Sequence, residues 1–355
     1  MDLSFRDFME LALYHPVDGY YSRVENRVSK SGDYVTAQTI SPVFGFAMAR
    51  LASEFVHRMG DGLCAIVDIG CGDGGLLLSI VEQMSPDARE RAAFYGIDRS
   101  LSRIDSAARS VAHFDTSIDA IPRGVPALVI TNELFDAFPF ARLVSRGDDL
   151  HELWVTRTDE GLDWREREAS FEYGDYFASR AIALQDGQFA DVALEWEREY
   201  AAIAERIERG VIVTIDYGFD DRKLFDPRVR RFGTAAAFSR HSVSRDLLAS
   251  PGEQDLTAHI NFSDLQRGGE GRGFSTLLFA RQAPFLLSLG VTKHPLFAPP
   301  DEIATTSLQE TVEIADEREA ARRLILPDGI GEEMRVLVQA KGTAADGWSF
   351  QKRLY

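Results

Sequence analysis

Four carboxylates and a row of glycines carry most of the chemistry that this chain of 355 residues offers. Asp68 stands two positions before Gly70-Cys71-Gly72-Asp73-Gly74-Gly75, Asp98 closes the next apolar run, and Asn132-Glu133-Leu134-Phe135-Asp136 follows a third. Glycines at this density let backbone N–H groups approach a ligand that a Cβ would block, and they allow positive φ. Gly70, Gly72 and Gly75 satisfy G-x-G-x-x-G, the spacing of a dinucleotide turn. Gly70, Gly72 and Gly74 also satisfy the tighter G-x-G-x-G. With Asp68 in front, that form suits S-adenosyl-L-methionine (SAM), whose amino-acid tail presents an ammonium instead of a pyrophosphate. A glycine turn that binds nothing is the plain alternative.

Methyl transfer from a sulfonium needs an in-line nucleophile and little else, so positioning dominates. Glu133 and Asp136 are three apart, which on an incipient helical turn puts both acids on one face. Two carboxylates there suit a cationic acceptor such as a guanidinium, which resists deprotonation but can be held bidentately while its proton leaves. Asn132 can orient the acceptor or the methionine tail. The competing reading makes Asn132 a helix cap and the acids its dipole-favoured first turn. Asp216, after a later apolar run, and His259 are further acid–base candidates, although a lone loop histidine such as His259 or His241 is commonly a structural hydrogen bonder. Among seven histidines and two cysteines no metal-ligand spacing appears.

The elements that must position these residues alternate. Ala65–Ile69 reads as a buried strand, followed after the glycine turn by a helix through Leu76, Leu77, Ile80, Val81 and Met84. Phe94–Ile97 is a second strand ending at Asp98, where an acid accepts from ribose hydroxyls, or alternatively caps a helix. A helix over 101–111, a short third strand within His113–Ile118, a fourth over Pro126–Thr131 and a fifth over Val211–Ile215 complete a βαβ series, which implies a parallel sheet. Upstream, residues 4–14 read as a helix ended by His15-Pro16-Val17-Asp18-Gly19, and the polar stretch after Tyr20-Tyr21 as a mobile lid. Ser41-Pro42 makes an N-cap and first-turn pair for a helix running to Gly60.

Residues 140–187 read as a hairpin-rich insertion about Asp159-Glu160-Gly161. Phe189, Val192, Trp196, Tyr200, Ile203 and Ile207 read as one helical core stripe ended by Gly210. Residues 219–273 show little regular pattern and read as a long functional or disordered loop. A strand end and helix over 275–289, a helical region over 302–326 and a late strand over Met334–Ala340 follow. The expected organisation is a leading lid and helix over 1–60, a SAM-binding Rossmann-like core over 61–139 and 189–218, an insertion over 140–188, a cap loop over 219–273, and a remainder over 274–355 completing the core.

Composition narrows the partners. Lys plus Arg is 39 against 56 Asp plus Glu, a formal net charge of -17, which repels phosphate backbones and anionic lipid. No nucleic-acid role and no membrane insertion are expected; a basic protein or cationic substrate fits better. Two cysteines imply no disulfide framework, and Met1–Leu13 holds Asp2, Asp7 and Glu10 without an apolar signal region, so a reduced, cytoplasmic setting is expected.

These blocks together resemble the MidA-like family of SAM-dependent methyltransferases. The resemblance runs through Leu13-Tyr14-His15-Pro16-Val17-Asp18-Gly19-Tyr20-Tyr21, Gly32-Asp33-Tyr34-Val35-Thr36 and Ser41-Pro42-Val43-Phe44-Gly45. It continues in Asp68–Gly74, Asn132–Pro139, Asp216-Tyr217-Gly218, Asp255-Leu256-Thr257-Ala258-His259-Ile260-Asn261-Phe262, and Leu326-Pro327 with Gly331. The resemblance implies an α/β class I methyltransferase with a Rossmann-like seven-stranded sheet and inserted cap segments. It further implies SAM held by Asp68, Gly70, Gly72, Gly74, Asp98, Asn132 and Thr36, and catalysis by Glu133, Asp136, Asn132 and His259. Mitochondrial members of the family are protein arginine methyltransferases needed for complex I assembly, so the arginine of a complex I subunit or similar protein is the implied acceptor. Two departures stand out: Asp98 where the family usually has Glu, and Gly233-Thr234-Ala235 where it usually has Gly-Thr-Leu, which bears on the acceptor pocket. A small-molecule methyltransferase, a SAM-binding assembly factor without turnover, and an NAD-dependent oxidoreductase are the alternatives.

Overall fold

The structure, a computed structural model, describes residues 2–22, 41–239, 242–299, 307–326 and 329–351. Thr36, His241 and the segment expected to be a lid lie outside the described residues. The chain forms two compact units. One takes Met1–Tyr34, Phe135–Tyr200 and Tyr217–Arg267; the other takes Val35–Leu134, Ala201–Asp216 and Gly268–Tyr355.

Among the described residues, the sheet that carries the glycine turn of the second unit has eight strands, the short Ile260–Asn261 paired with the end of β5 and seven others in the order β6-β7-β5-β4-β1-β2-β3. These are β1 (Cys64–Ile69), β2 (Ala92–Ile97), β3 (His113–Asp115), β4 (Ala127–Asn132), β5 (Gly210–Phe219), β6 (Ser275–Arg281) and β7 (Met334–Lys341). β3, β2, β1, β4 and β5 run parallel, whereas β6 and β7 pair antiparallel. Every residue of β1 and β4 is buried, as unbroken apolar runs in a sheet covered on both faces require. Ser41 caps α1 (Pro42–Arg58) by accepting the Val43 N–H, and Phe44, Met48, Leu51 and Phe55 fill its inner stripe. α2 (Gly75–Gln83) follows the glycine turn and buries Leu76, Leu77 and Ile80. α3 (Ser106–Val111) is shorter than the helix expected over 101–111, because Asp105 caps it by accepting the Ala107 N–H at 2.7 Å.

The other unit begins with the expected helix, Phe5–Tyr14, whose Phe5, Phe8, Met9 and Ala12 are buried. Strands Leu3–Ser4, Asp149–Thr158, Ala141–Arg146 and Phe189–Val192 lie side by side in that order, and Gly161–Glu168 pairs with Asp149–Thr158 across the Asp159-Glu160 turn. Two expectations are corrected here. Phe189 and Val192 belong to a strand paired antiparallel with Ala141–Val144, and the helix starts only at Glu195. Spacings of three and four along a short strand imitate a helical stripe, and pairing decides between them. Residues 219–273 are not a long loop. They hold a three-stranded sheet (Ser242–Ser244, Ala236–Ser239, Asp255–Thr257), the short strand Ile260–Asn261 beside Gly218–Phe219, and the helix Phe262–Glu270. A core of Ala141, Leu143, Tyr173, Tyr176, Phe177, Val192 and Phe225 holds the unit together. No helix among the described residues is long and apolar enough to cross a membrane.

Candidate functional site

Register brings the chemistry to one level in the glycine-turn unit. Ile69 pairs with Ile97 on one side and Thr131 on the other, and Thr131 pairs with Thr214. The residues that follow, Gly70, Asp98 and Asn132, therefore emerge in one row at the carboxyl ends of adjacent parallel strands, where open α/β sheets bind ligands. The row rests on a hydrogen bond from Thr131 Oγ1 to Thr214 Oγ1 at 2.9 Å, buried between β4 and β5.

The glycine turn is fixed from below and open above. Gly70, Gly72 and Gly74 have φ of 78°, 58° and 82°. A Cβ on Gly72 would meet nothing within 4 Å among the described residues. Its N–H donates to Asp98 Oδ2 at 2.9 Å, while the Ser100 N–H donates to Asp98 Oδ1 at 3.0 Å. Asp98 thus fastens the turn to β2, and each of its oxygens keeps a lone pair that can accept a hydroxyl. Beneath the turn, Cys71 packs with Ile104 and Ala108. Burial, reinforced by Asp68 and Asp98, raises the Cys71 thiol far above its ordinary range and keeps it protonated.

The electrostatics select the sign of the ligand. Asp68 is 3% exposed and receives no hydrogen bond from the described residues. Burial first, then Asp98 and Asp73, pushes its carboxyl up to about 8. Asp73 Oδ1 accepts the Gly75 N–H at 2.8 Å, so a carboxylate already occupies the first turn of α2. A pyrophosphate needs that helix start for itself, and the Asp73 and Asp98 carboxylates beside the turn oppose it further. A sulfonium with an ammonium tail meets the opposite situation. Asn132, 9% exposed, donates through Nδ2 to Glu133 at 3.2 Å, and its buried Oδ1 has no hydrogen-bond partner among the described residues. Among the described residues, Asp68 and Asn132 Oδ1 are two buried acceptors that receive no donor, and an amino-acid ammonium is a donor of the kind they suit.

No helix follows β4. Glu133 adopts φ 52°, a left-handed conformation uncommon for a side-chain-bearing residue, and its N–H donates to Ile215 O at 2.9 Å. Residues 133–138 form bends about a single turn at 136–137, so Asn132 caps no helix, and a shared helical face is not what relates Glu133 to Asp136. Asp216, fully buried, lies inside β5 and not at its tip, because the strand continues to Phe219.

In the other unit Asp136 is 3% exposed, and its carbonyl accepts the Ala258 N–H at 3.4 Å. The preceding residue, Phe135, is buried, and its carbonyl accepts Trp196 Nε1–H at 2.8 Å. The half-buried His259 follows Ala258, with its ring 5.5 Å from Phe219 and near-parallel to Tyr217 at 6.4 Å. Tyr14 donates to Ala137 O and stacks on Tyr21, which in turn donates to the buried Asp255 at 2.9 Å. Burial, with Asp255, Tyr14 and Asp136 nearby, raises the Tyr21 hydroxyl well above its usual range. Three blocks singled out in the sequence, at 13–21, 132–139 and 255–262, thus meet through Tyr14, Tyr21, Asp136 and Asp255. The Tyr21–Asp255 contact was invisible beforehand because the two residues are 234 positions apart. Among the described residues no group of three or more His, Cys, Asp or Glu is placed to hold a metal ion.

Comparison with known proteins agrees with the donor side of this geometry. A family model for S-adenosyl-L-methionine-dependent methyltransferases matches residues 47–280. The mitochondrial protein arginine methyltransferase NDUFAF7 homolog of Drosophila melanogaster is 25% identical over 305 residues, covering 75% of this chain and 66% of that protein. The Danio rerio protein arginine methyltransferase NDUFAF7 is 24% identical over 299 residues, covering 75% and 68%. A Burkholderia thailandensis crystal structure bound to S-adenosyl-homocysteine superposes with a TM-score of 0.86 at 24% identity, over 99% of this chain and 91% of that one. A native structure from the same organism gives 0.79 at 25% identity, over 99% and 90%.

Proposed function

Because the chain belongs to the family of S-adenosyl-L-methionine-dependent methyltransferases, we propose that it uses SAM to methylate an arginine of a protein. The observation that carries the donor is the pair of buried acceptors, Asp68 and Asn132 Oδ1, beside a turn ringed by carboxylates. The acceptor class is supported by the names of the relatives, protein arginine methyltransferases, and by the acids that follow β4. SAM supplies an electrophilic methyl with S-adenosyl-homocysteine as the leaving group.

In this reading Asp68 and Asn132 hold the ammonium, Asp98 takes the ribose hydroxyls, Gly72 leaves room for the nucleoside, and Gly70 and Gly74 shape the turn against Leu134, Ala108 and Phe114. Thr36 is proposed as a further donor contact on the resemblance alone. Glu133, presented by its left-handed backbone, draws charge from the acceptor guanidinium, so that one nitrogen regains nucleophilic character while its proton leaves. Asp136 and His259 are proposed, within their own unit, as acid and base candidates for proton removal. A respiratory complex I subunit as acceptor, and a cytoplasmic setting, belong to the same proposal.

Transfer of tritiated methyl from SAM to extract proteins, followed by acid hydrolysis, tests the acceptor. Label in methylarginine that is lost in Glu133→Ala and Asp136→Asn is expected. Label in lysine, or only in small molecules, refutes the arginine reading.

A further inference from the structure

The loop Gly233-Thr234-Ala235 is tied down by one side chain that no spacing in the sequence marks out. Asp191, on strand Phe189–Val192, has a fully buried carboxylate. Its Oδ2 accepts two successive backbone N–H groups, from Thr234 at 2.6 Å and from Ala235 at 2.8 Å. Its Oδ1 accepts Arg142 Nη1–H at 2.6 Å, and Arg142 Nη2 donates to Phe232 O at 3.0 Å, so both ends of the loop are held by one ion pair. Gly233 has φ 73°, and a Cβ there would lie 2.4 Å from Asp191 Oδ2, so the approach of the loop to the carboxylate requires glycine.

What the loop presents is the Thr234 hydroxyl. It accepts the His259 N–H at 3.1 Å, while the neighbouring Ala258 N–H donates to Asp136 O at 3.4 Å. Two consecutive amides of the 255–262 block are therefore pinned, one to Thr234 and one to Asp136. With Tyr217 and Phe219 rings beside it, the His259 imidazole takes its direction from where its backbone is pinned.

We propose that Thr234, held by Asp191, is a positioning residue that sets His259, and with it the Ala258–Asp136 link, for the reaction. The inference rests on the reading that His259 serves proton removal. It gives the Gly-Thr pair a role distinct from acceptor contact and makes residue 235, Ala here, a buried backbone anchor.

The test compares Thr234→Val, which keeps the shape and removes the acceptor oxygen, with Thr234→Ser, which restores it. Methyl transfer to extract protein, SAM affinity by calorimetry, melting temperature and exchange of the His259 amide are measured for each, with His259→Gln and the Thr234→Val/His259→Gln double variant alongside. A misplaced catalytic group costs roughly tenfold to a hundredfold in kcat. Thr234→Val is expected to show such a loss with unchanged SAM affinity and faster His259 amide exchange. Thr234→Ser should recover both, and the double variant should be no worse than His259→Gln. Wild-type amide exchange in Thr234→Val, wild-type kcat in that variant, failure of Thr234→Ser to rescue, or multiplying losses in the double variant would overturn the inference. A fully active His259→Gln would instead overturn the reading of His259 on which it rests.

Discussion

The Gly72 N–H donates to Asp98 Oδ2 at 2.9 Å, so the carboxylate proposed to take the ribose hydroxyls is also a clamp on the glycine turn. Removing it should therefore cost more than a single ligand contact. A hydrogen bond to a charged group is worth about 1.5–3 kcal/mol. Asp98→Ala is expected to weaken SAM binding by roughly tenfold to a hundredfold, read by calorimetry, with NAD binding absent in wild type and variant alike. Wild-type affinity in Asp98→Ala would contradict the clamp.

Asp68 predicts a pH dependence of binding. With its carboxyl raised to about 8, it is mostly protonated in the free protein at neutral pH, and it must ionise to pair with an ammonium. SAM binding should release a proton, and affinity should climb between pH 6 and pH 8. Calorimetry in buffers of different ionisation enthalpy counts that proton, and Asp68→Asn should abolish the release along with much of the affinity.

The same group fixes the sign of a stability effect. Its native pKa lies above the ordinary carboxylate value of 3.8, so the native state holds the extra proton between that value and about 8. Its contribution is present below pH 3.8 and is lost as pH rises through about 8. Asp68→Asn should accordingly melt a few degrees higher than wild type at pH 8.5, and no higher at pH 4, in thermal scans without SAM.

Glu133 separates stability from activity. A left-handed conformation costs a side-chain-bearing residue about 1 kcal/mol, and glycine escapes that cost. Glu133→Gly is expected to hold or raise the unfolding free energy while abolishing methyl transfer, whereas Glu133→Ala keeps the strain and loses the activity. Chemical denaturation beside a transfer assay checks both. Loss of stability in Glu133→Gly would mean that the conformation carries contacts worth more than the strain.

In the other unit, Asp264 is 1% exposed and accepts from Tyr176 at 2.7 Å, from Arg180 Nη2 at 2.8 Å and from Arg267. Breaking a buried pair by removing one partner costs about 3–5 kcal/mol. Asp264→Ala should lower the melting temperature by several degrees, a change read directly by calorimetric scanning.

The donor side was legible in sequence because its signals are local. The runs 64–69 and 127–132 are buried strands and 92–97 a half-buried one, and Gly70, Gly72 and Gly74 announce positive φ by residue type alone. The other unit was not legible, because its order comes from distant pairing. Ala236–Ser239 becomes a strand through Asp255–Thr257, and the helix Phe262–Glu270 forms despite Gly268 and Gly269, which disfavour it locally. Glu133 shows the limit most clearly, since nothing in a glutamate signals a left-handed backbone. That one angle removes the helical turn on which its expected relation to Asp136 depended.

The most direct test of the account is mass spectrometry of proteins from cells with the gene product, without it, and complemented with Glu133→Ala. A discrete protein whose methylarginine is present only with the wild-type chain is expected. An unchanged methylarginine profile across all three, with the methyl groups recovered on a metabolite instead, would contradict it.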